Sequence, residues 1–315
     1  MAYGRQYEIT VITPTGETIH IDGVDVDFSC IRDNEKEPND ATLTIWGLTP
    51  ETQNSIAVAG SMISIAAGYA DEGTNTLFQG ELISAINIKP DTTYGLQMRI
   101  YEALIPYRSS VTSRTFRKGQ SLKEAALLVA SDMGVGCKIS PAAAMLTLAK
   151  PVSAAALSRD VLTSLCKPVN ARWSLQYQSL VITAGDGIAD GAAIFTPETG
   201  LLGVPFLKVH SPRRKKINPD AKEMVQALHE QSIKTYDWPP KNSQVDYSKG
   251  ARRQMGVIES IAWESVLMGG VEIGDRVVVS SPSFGEWQLI VTKIQQQFST
   301  RDRQTWRTGW EGVIP

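Results

Sequence analysis

Pro38-Asn39-Asp40-Ala41-Thr42-Leu43-Thr44-Ile45-Trp46 is the stretch on which the fold turns. A turn signal leads into a run where apolar Ala41, Leu43 and Ile45 alternate with Thr42 and Thr44. Successive side chains of a strand point to opposite faces, so this period of two predicts a strand buried on one face only. The same alternation occurs upstream in Tyr7-Glu8-Ile9-Thr10-Val11-Ile12 and in Val24-Asp25-Val26-Asp27-Phe28, whose carboxylates take the solvent face. Met62 to Ala67, Leu77 to Ile88 and Leu96 to Leu104 supply three further runs. Pro14-Thr15-Gly16, Asp71-Glu72-Gly73 and Lys89-Pro90-Asp91 punctuate them, and Pro50 to Ala59 reads as a short crossing helix. Strands in series with polar turns predict a small barrel or sandwich over residues 1–107.

The pattern changes near Tyr107. Ser121 and Glu124 have capping-box spacing, and Leu122, Ala125, Ala126, Val129 and Met133 then share one helical face, with Gly134 as the stop. A short strand over Val135 to Ile139 follows. The unit recurs 37 residues later: Ser158 precedes Val161, Leu162, Leu165 and Cys166, and Pro168 ends that helix. Arg172 to Tyr177 and Ser179 to Thr183 read as strands. This weak repeat predicts an α+β middle domain over 108–207. Residues 208–253 are polar, basic and proline-rich, with a helix conceivable from Asn218-Pro219 onward and Trp238-Pro239-Pro240 as a breaker. Residues 254–315 are β again: Val257 to Trp263, Arg276 to Ser280, Trp287 to Phe298 and Thr305 to Trp310. The expected fold class is therefore β-rich α+β, with two β-rich segments flanking an α+β middle domain.

The chain has 315 residues, enough for two or three domains. Its apolar content of 42% argues against global disorder, and its net charge of −2 against a globally basic nucleic-acid binder. That total hides a segregation. Residues 1–105 carry 15 acids and 5 bases, whereas residues 208–253 carry 11 bases and 5 acids. Such asymmetry points to a surface facing a partner. The uncharged stretch Thr52 to Ala70 is too rich in Ser, Ala and Gly for a bilayer and reads as helix then strand. No apolar run follows the N-terminal MAYGRQYEIT, so no signal peptide is expected.

Catalytic chemistry finds little footing. Cys30, Cys137 and Cys166 have no CxxC spacing, and His20, His210 and His229 no paired spacing, so no metal site is expected. There is no GxSxG elbow and no Walker lysine. Gly185-Asp186-Gly187-Ile188-Ala189-Asp190-Gly191 has the wrong spacing for a dinucleotide loop and reads as a turn. Glu259, Glu264, Glu272 and Asp275 have the chemistry for general acid–base work, yet nothing in the sequence pairs them; solvated strand ends are the simpler reading. Cys166 sits on an apolar helical face, where a structural cysteine is normal. No catalytic residue, cofactor or metal is assigned. Arg213-Arg214-Lys215-Lys216 is the densest charge and the candidate interface. Its cations suit phosphates or an acidic protein, and an exposed loop is the alternative, since no aromatics are interleaved for stacking.

Several stretches, taken in order, resemble one family. Phe28 to Asp33 and Glu37-Pro38-Asn39-Asp40-Ala41 through Trp46-Gly47-Leu48 are similar to the paired strands near the start of baseplate hub proteins of contractile-tailed bacteriophages, with Gly47 where an Asn is usual. Ile65-Ala66-Ala67-Gly68-Tyr69 and Leu77-Phe78-Gln79-Gly80-Glu81-Leu82 resemble the next pair. Gly119-Gln120-Ser121-Leu122 and Trp173-Ser174-Leu175 resemble parts of the family's middle domain, and Thr199-Gly200-Leu201-Leu202-Gly203-Val204-Pro205 the link leaving it. Glu272 to Ser281, Gly285-Glu286-Trp287 and Trp306-Arg307-Thr308 resemble its closing barrel. The resemblance implies a non-enzymatic homotrimer whose two barrels per subunit form a pseudo-sixfold ring, adapting a sixfold tail tube to a threefold spike. It implies tail tube or tube-initiator, central spike, tape-measure and baseplate wedge proteins as partners. DNA would be a partner only in transit through a central channel, in a virion tail baseplate assembled in host cytoplasm. Two other functions fit parts of the sequence: a nucleic-acid-binding module built on 208–253, and a tail-associated peptidoglycan-degrading enzyme.

Overall fold

The computed structural model describes residues 4–90, 92–185, 187–188, 193–209, 258–302 and 305–315. The N-terminal part holds strands β1 (Arg5–Ile12), β2 (Thr18–Ile21), β3 (Val26–Asp33) and β4 (Asp40–Trp46), helix α1 (Pro50–Ile56), then β5 (Met62–Tyr69), β6 (Gly73–Ile88) and β7 (Gly95–Tyr101). Helix α2 (Leu104–Ser109), β8 (Val111–Phe116), α3 (Leu122–Met133), β9 (Gly136–Ile139), α4 (Pro141–Ala144), β10 (Val152–Leu157), α5 (Ser158–Cys166), β11 (Arg172–Gln176) and β12 (Ser179–Thr183) follow. The chain continues through β13 (Ala193–Phe195), β14 (Leu201–Val209), β15 (Ile258–Val266), β16 (Arg276–Ser281), β17 (Gly285–Ser299) and β18 (Arg307–Val313). One compact unit comprises residues 1–206 and 262–315, and a second comprises residues 207–261. Of the second, only the end of β14 and the start of β15 are described.

Thirteen strands join in one sheet, in the order β14-β15-β18-β17-β3-β4-β7-β6-β5-β1-β2, with β16 on β17 and β13 on β16. The β-rich α+β class expected from the sequence is what the chain adopts. The two separate barrels are not seen: among the described residues the sheet does not close on itself. The reason lies in β17. Its first half pairs with β16, Arg276 opposite Ile290, and its second half pairs with β3, Phe298 opposite Phe28. The C-terminal strands are thereby hydrogen-bonded to the N-terminal ones.

One face of this sheet is apolar. Ile9, Val11, Phe28, Leu43, Ile45, Ile63, Ile65, Phe78, Met98 and Ile100 are buried together, joined by Phe298 and Trp306 from the C-terminal part. The Phe298 ring lies 5.3 Å from Phe28 and 5.0 Å from Trp306, centroid to centroid. A second aromatic group, Phe195, Trp263 and Trp310, fills the C-terminal strands, the two indoles stacked at 6.2 Å. Such pairs add about 0.5–1.5 kcal/mol beyond their buried area.

The middle segment has its own core. α3 and α5 bury Leu122, Ala125, Val129, Val161, Leu162 and Leu165 with Trp173, Leu180 and Ile182 of the β9–β12–β11 sheet. Ser121 caps α3, accepting from Lys123 N–H, and Gly134 ends it at φ 69°. Ser158 is the first residue of α5 and makes no cap; its buried hydroxyl shares a 2.9 Å hydrogen bond with Thr112 Oγ1.

Candidate functional site

The sheet is built from a repeated four-strand block. β3-β4-β7-β6 and β14-β15-β18-β17 have the same strand order relative to chain order, and their details agree. β6 and β17 are the long strands of each block, and each has a bulge. It falls between Leu82 and Ser84 against β7, and between Val291 and Lys293 against β18. Just before the bulge, Gly60 N–H donates to Leu82 O and Leu82 N–H to Ser61 O. In the second block Gly274 N–H donates to Val291 O and Val291 N–H to Asp275 O. Gly60 and Gly274 both sit at positive φ, 83° and 95°, which glycine alone adopts freely. The other strands match as well. Trp46 N–H donates to Asp25 O and Gly47 N–H to Tyr94 O, as Val266 N–H does to Gly200 O and Leu267 N–H to Trp306 O.

The face opposite the core is mostly polar along its cross-strand rows, with Ile31 and Ile86 as exceptions. One row runs Arg307, Gln297, Ser29, Thr42, Arg99, Ser84 across six strands. The next runs Gly309, Gln295, Ile31, Asp40, Tyr101, and another Ser299, Asp27, Thr44, Gln97, Ile86. Its charges are locally balanced: Arg99 pairs with Asp40 at 3.6 Å and Arg307 with Glu264 at 3.8 Å. A wide antiparallel sheet with one dry face and one hydroxyl- and amide-rich face is the candidate site, and it is a surface, not a pocket.

A second feature fixes the middle segment to this sheet. The β11–β12 hairpin turns through Tyr177 and Gln178, both left-handed at φ 45° and 58°, where Asn-Gly would be usual. The turn is held by what it touches. The Tyr177 ring lies under the Arg32 guanidinium, 4.4 Å from centroid to Cζ, and its hydroxyl donates to Thr76 O and Leu77 O at 3.3 Å each. Asn39 Nδ2 donates to Glu102 Oε2 at 2.8 Å and to Leu175 O at 3.2 Å, while Gln176 Nε2 donates to Asp33 O at 2.6 Å. Arg32 is fully buried, and its guanidinium nitrogens have no hydrogen-bond partner. For Arg32 burial works against the charge, and the combined pull of Tyr177, Glu102, Cys30 and Glu272 more than offsets it, raising its pKa. Burial pushes the Glu102 carboxyl up to about 7, against the opposing pull of Arg32 and Asn39.

The residues singled out from sequence fare as follows. Arg213, Arg214, Lys215 and Lys216 lie outside the described residues, as do His210, His229 and most of the Gly185–Gly191 loop. Glu272 and Asp275 share a turn, Glu272 N–H donating to Asp275 Oδ2 at 2.8 Å, and the Glu272 carboxylate binds Lys138 at 2.5 Å. Glu264 belongs to the ion pair with Arg307, and the structure brings neither Glu272 nor Asp275 to it. Cys166 is buried on α5, where desolvation pushes its thiol up to about 12. A cleft of about 380 Å³ beside the hairpin, lined by Asn34, Arg172, Thr183 and Thr292, presents no paired acid and base. Among the described residues no group of three or more His, Cys, Asp or Glu could hold a metal ion, and no helix is long and apolar enough to cross a membrane. The residue patterns alone did not show the block repeat, which only the family resemblance implied. Its trace was present in Gly60-Ser61-Met62-Ile63-Ser64-Ile65 against Gly274-Asp275-Arg276-Val277-Val278-Val279.

No protein-family model matches the sequence, and no curated protein matches it. Solved structures do. The 43 kDa tail protein of prophage MuSo2 from Shewanella oneidensis superposes with a TM-score of 0.63 at 12% identity, over 98% of this chain and 97% of that one. A tail protein from Neisseria meningitidis MC58 gives 0.59 at 13% identity, over 98% and 96%. An Escherichia coli type VI secretion component, c3393, described as structurally similar to the T4 bacteriophage tail proteins gp27 and gp5, gives 0.55 at 10% identity, over 93% and 74%. The chain thus has the fold of phage tail proteins, along nearly its whole length.

Proposed function

We propose that this chain is the structural hub of a phage tail baseplate, acting without catalysis as a homotrimeric ring around a channel. The observation that carries the reading is the doubled four-strand block with its polar face. Two equivalent blocks per subunit supply the six quasi-equivalent units that a threefold ring needs to match a sixfold tube. On this reading the first block, with its companion strands, is the wall of a barrel-like domain over 1–107, and residues 254–315, joined by β13 and β14 from outside that span, form the second. Residues 108–207 form the middle domain and 208–253 an insertion. The row of Gln297, Ser29, Thr42 and Ser84 then lines the channel.

The chemistry of that face suits passage. Hydroxyls and amides hydrate well, and carboxylates on it (Asp27, Asp40, Glu264, Glu311) accompany its cations (Arg99, Lys293, Arg307). A polyanion finds no run of uncompensated cations there, so DNA slides and does not bind. Tail tube and spike are the axial partners, the tape-measure protein the occupant before DNA, and wedge proteins the outer neighbours. The place of action is the virion tail. Arg213 to Lys216, in the insertion, remain the proposed contact to an acidic partner surface.

The test is mass and shape. Light scattering on the purified chain, alone and with its neighbouring tail proteins, should give a trimer. Electron images should show rings with a central hole. A chain that stays monomeric in both settings sinks the proposal, as does a monomer that binds DNA with a steep salt slope.

A further inference from the structure

The two blocks differ at one edge. In β17, the edge that carries β16 before the bulge carries β3 after it, from Lys293 opposite Asp33 to Ser299 opposite Asp27. In β6, the same edge carries β5 up to Glu81 and Ser61 at Leu82, and then stops. Among the described residues no strand pairs with Ile83 to Ile88 on that side. At the far end of the sheet β14 occupies the place of β3 and, among the described residues, has one strand neighbour, β15. The sheet therefore ends in two half-made copies of a joint that it makes once internally.

We infer that β6 of one subunit pairs antiparallel with β14 of the next, in the register of the internal β17–β3 joint. The inference rests on the ring reading and specifies its contact. The equivalences fix the register. Val291 corresponds to Leu82 through the shared glycine hydrogen bonds, so Gln295 corresponds to Ile86 and Gln297 to Ile88. Gly200 corresponds to Asp25, so Val204 corresponds to Ser29 and Phe206 to Ile31. Since Gln295 faces Ile31 and Gln297 faces Ser29, Ile86 meets Phe206 and Ile88 meets Val204.

These are the side chains that the single chain leaves exposed. Ile86 is 55% exposed, Val204 59% and Phe206 54%, on a face that is otherwise mostly Ser, Thr, Gln and charged residues, with Ile31 a further exposed aliphatic. Across a strand pair they cover one another, an aromatic against a β-branched residue, which is among the favoured cross-strand pairs. The edge of β6 also lacks the usual protection against pairing: Ile83 to Ile88 contains no charge and no proline. β14 does contain Pro205, at the position of Cys30. Val26 makes its backbone hydrogen bonds on the β17 side, with Thr300, so Cys30 does the same and Pro205 faces outward. That rung carries one hydrogen bond, from Asn87 N–H to Pro205 O, and no second.

By the same alternation the Ile86–Phe206 pair is non-hydrogen-bonded, the closer type, with Cα atoms about 4.5 Å apart. That distance admits a disulfide. The variant carrying Ile86→Cys and Phe206→Cys should, on mild oxidation, give a ladder on non-reducing gels that stops at three subunits. All variants carry Cys137→Ser, because Cys137 is half-exposed; each single variant should then stay uncrosslinked, since the remaining native Cys30 and Cys166 are buried. The register control, Ser84→Cys with Phe206→Cys, should crosslink at least tenfold less. Circular dichroism confirms that each variant is folded. A trimer by light scattering in which the Ile86–Phe206 pair stays reduced overturns the strand joint and leaves the ring standing. A trimer that crosslinks better through Ser84 overturns the register. The absence of any higher species, by scattering and by crosslinking, overturns the ring reading together with the joint.

Discussion

Replacing Glu102 by Gln should change how stability depends on pH. The carboxyl is buried just past the end of β7, where it accepts from Asn39 Nδ2 at 2.8 Å. Its second oxygen has no partner. Burial raises it from an ordinary 4.5 to about 7. The folded chain thus holds this proton more tightly than the unfolded chain. The stabilisation is fully present below pH 4.5 and is lost as the pH rises through about 7. At about 1.4 kcal/mol per pH unit, the loss over that window is about 3 kcal/mol. The charged and titratable groups around Glu102 do not share the window. Arg32 and Tyr177 are raised above their ordinary values and Cys30 is pushed up to about 12. Glutamine keeps the shape and the acceptor for Asn39 but has no proton to lose. Urea unfolding of both proteins from about pH 5 to about pH 8 reads the effect. The Glu102→Gln chain should gain about 3 kcal/mol relative to the parent across that range, a midpoint shift of about 1 M urea. A constant difference between the two proteins would mean that Glu102 does not titrate there, and the desolvation account of the junction would fail.

Gln178→Gly should stabilise the chain by about 1 kcal/mol, because the residue sits at φ 58° and its buried amide nitrogen has no partner; thermal unfolding measures it, and a lower midpoint would contradict the strain. Phe298→Ala should cost about 3–5 kcal/mol, since the ring is buried against Phe28 and Trp306 where the N- and C-terminal strands meet; a loss under about 1 kcal/mol in urea unfolding would show that this seam carries little of the core energy.

Much of the fold was legible because half-buried strands carry their burial in their spelling. Ala41 to Trp46 reads as a strand and is one, and Leu122 to Met133 reads as a capped helix and is one. β8 and β10 escaped because Val111-Thr112-Ser113-Arg114-Thr115-Phe116 and Val152-Ser153-Ala154-Ala155-Ala156-Leu157 spend small and polar residues on both faces. β2 escaped because four residues are too few to show a period. The candidate surface was harder to see. A face made of Ser29, Thr42, Gln97 and Gln297 is chemically ordinary in each strand, and becomes a surface only when register aligns the rows. The buried junction was illegible for a related reason. Arg32, Asn39 and Glu102 are typical surface residues in sequence, and only the inserted Tyr177 hairpin takes them out of water.

The block repeat bears on why a head-to-tail contact should stop at three subunits. A heterologous contact repeats one rotation, and it either closes or grows without limit. Here that rotation is already set once within the subunit, by the β17–β3 joint and the Phe28–Phe298–Trp306 contact beneath it. If β6 meets the next β14 as β17 meets β3, the same step recurs twice per subunit, and three subunits take six nearly equal steps. The curvature would then be a property of the joint, fixed by what lies on its two sides. Rings of Phe28, Phe298 and Trp306 fill the outer side, while Ser29, Gln297 and Thr42 are short or flexible on the inner side. Bulk on the convex side and small polar groups on the concave side bend a sheet toward its polar face. The intermolecular copy has Ile86 and Phe206 on that inner side, larger than the Gln295 and Ile31 they replace. On the proposed ring reading, the seams between subunits should therefore bend slightly less than the seams within them, so that a threefold ring would approximate sixfold symmetry.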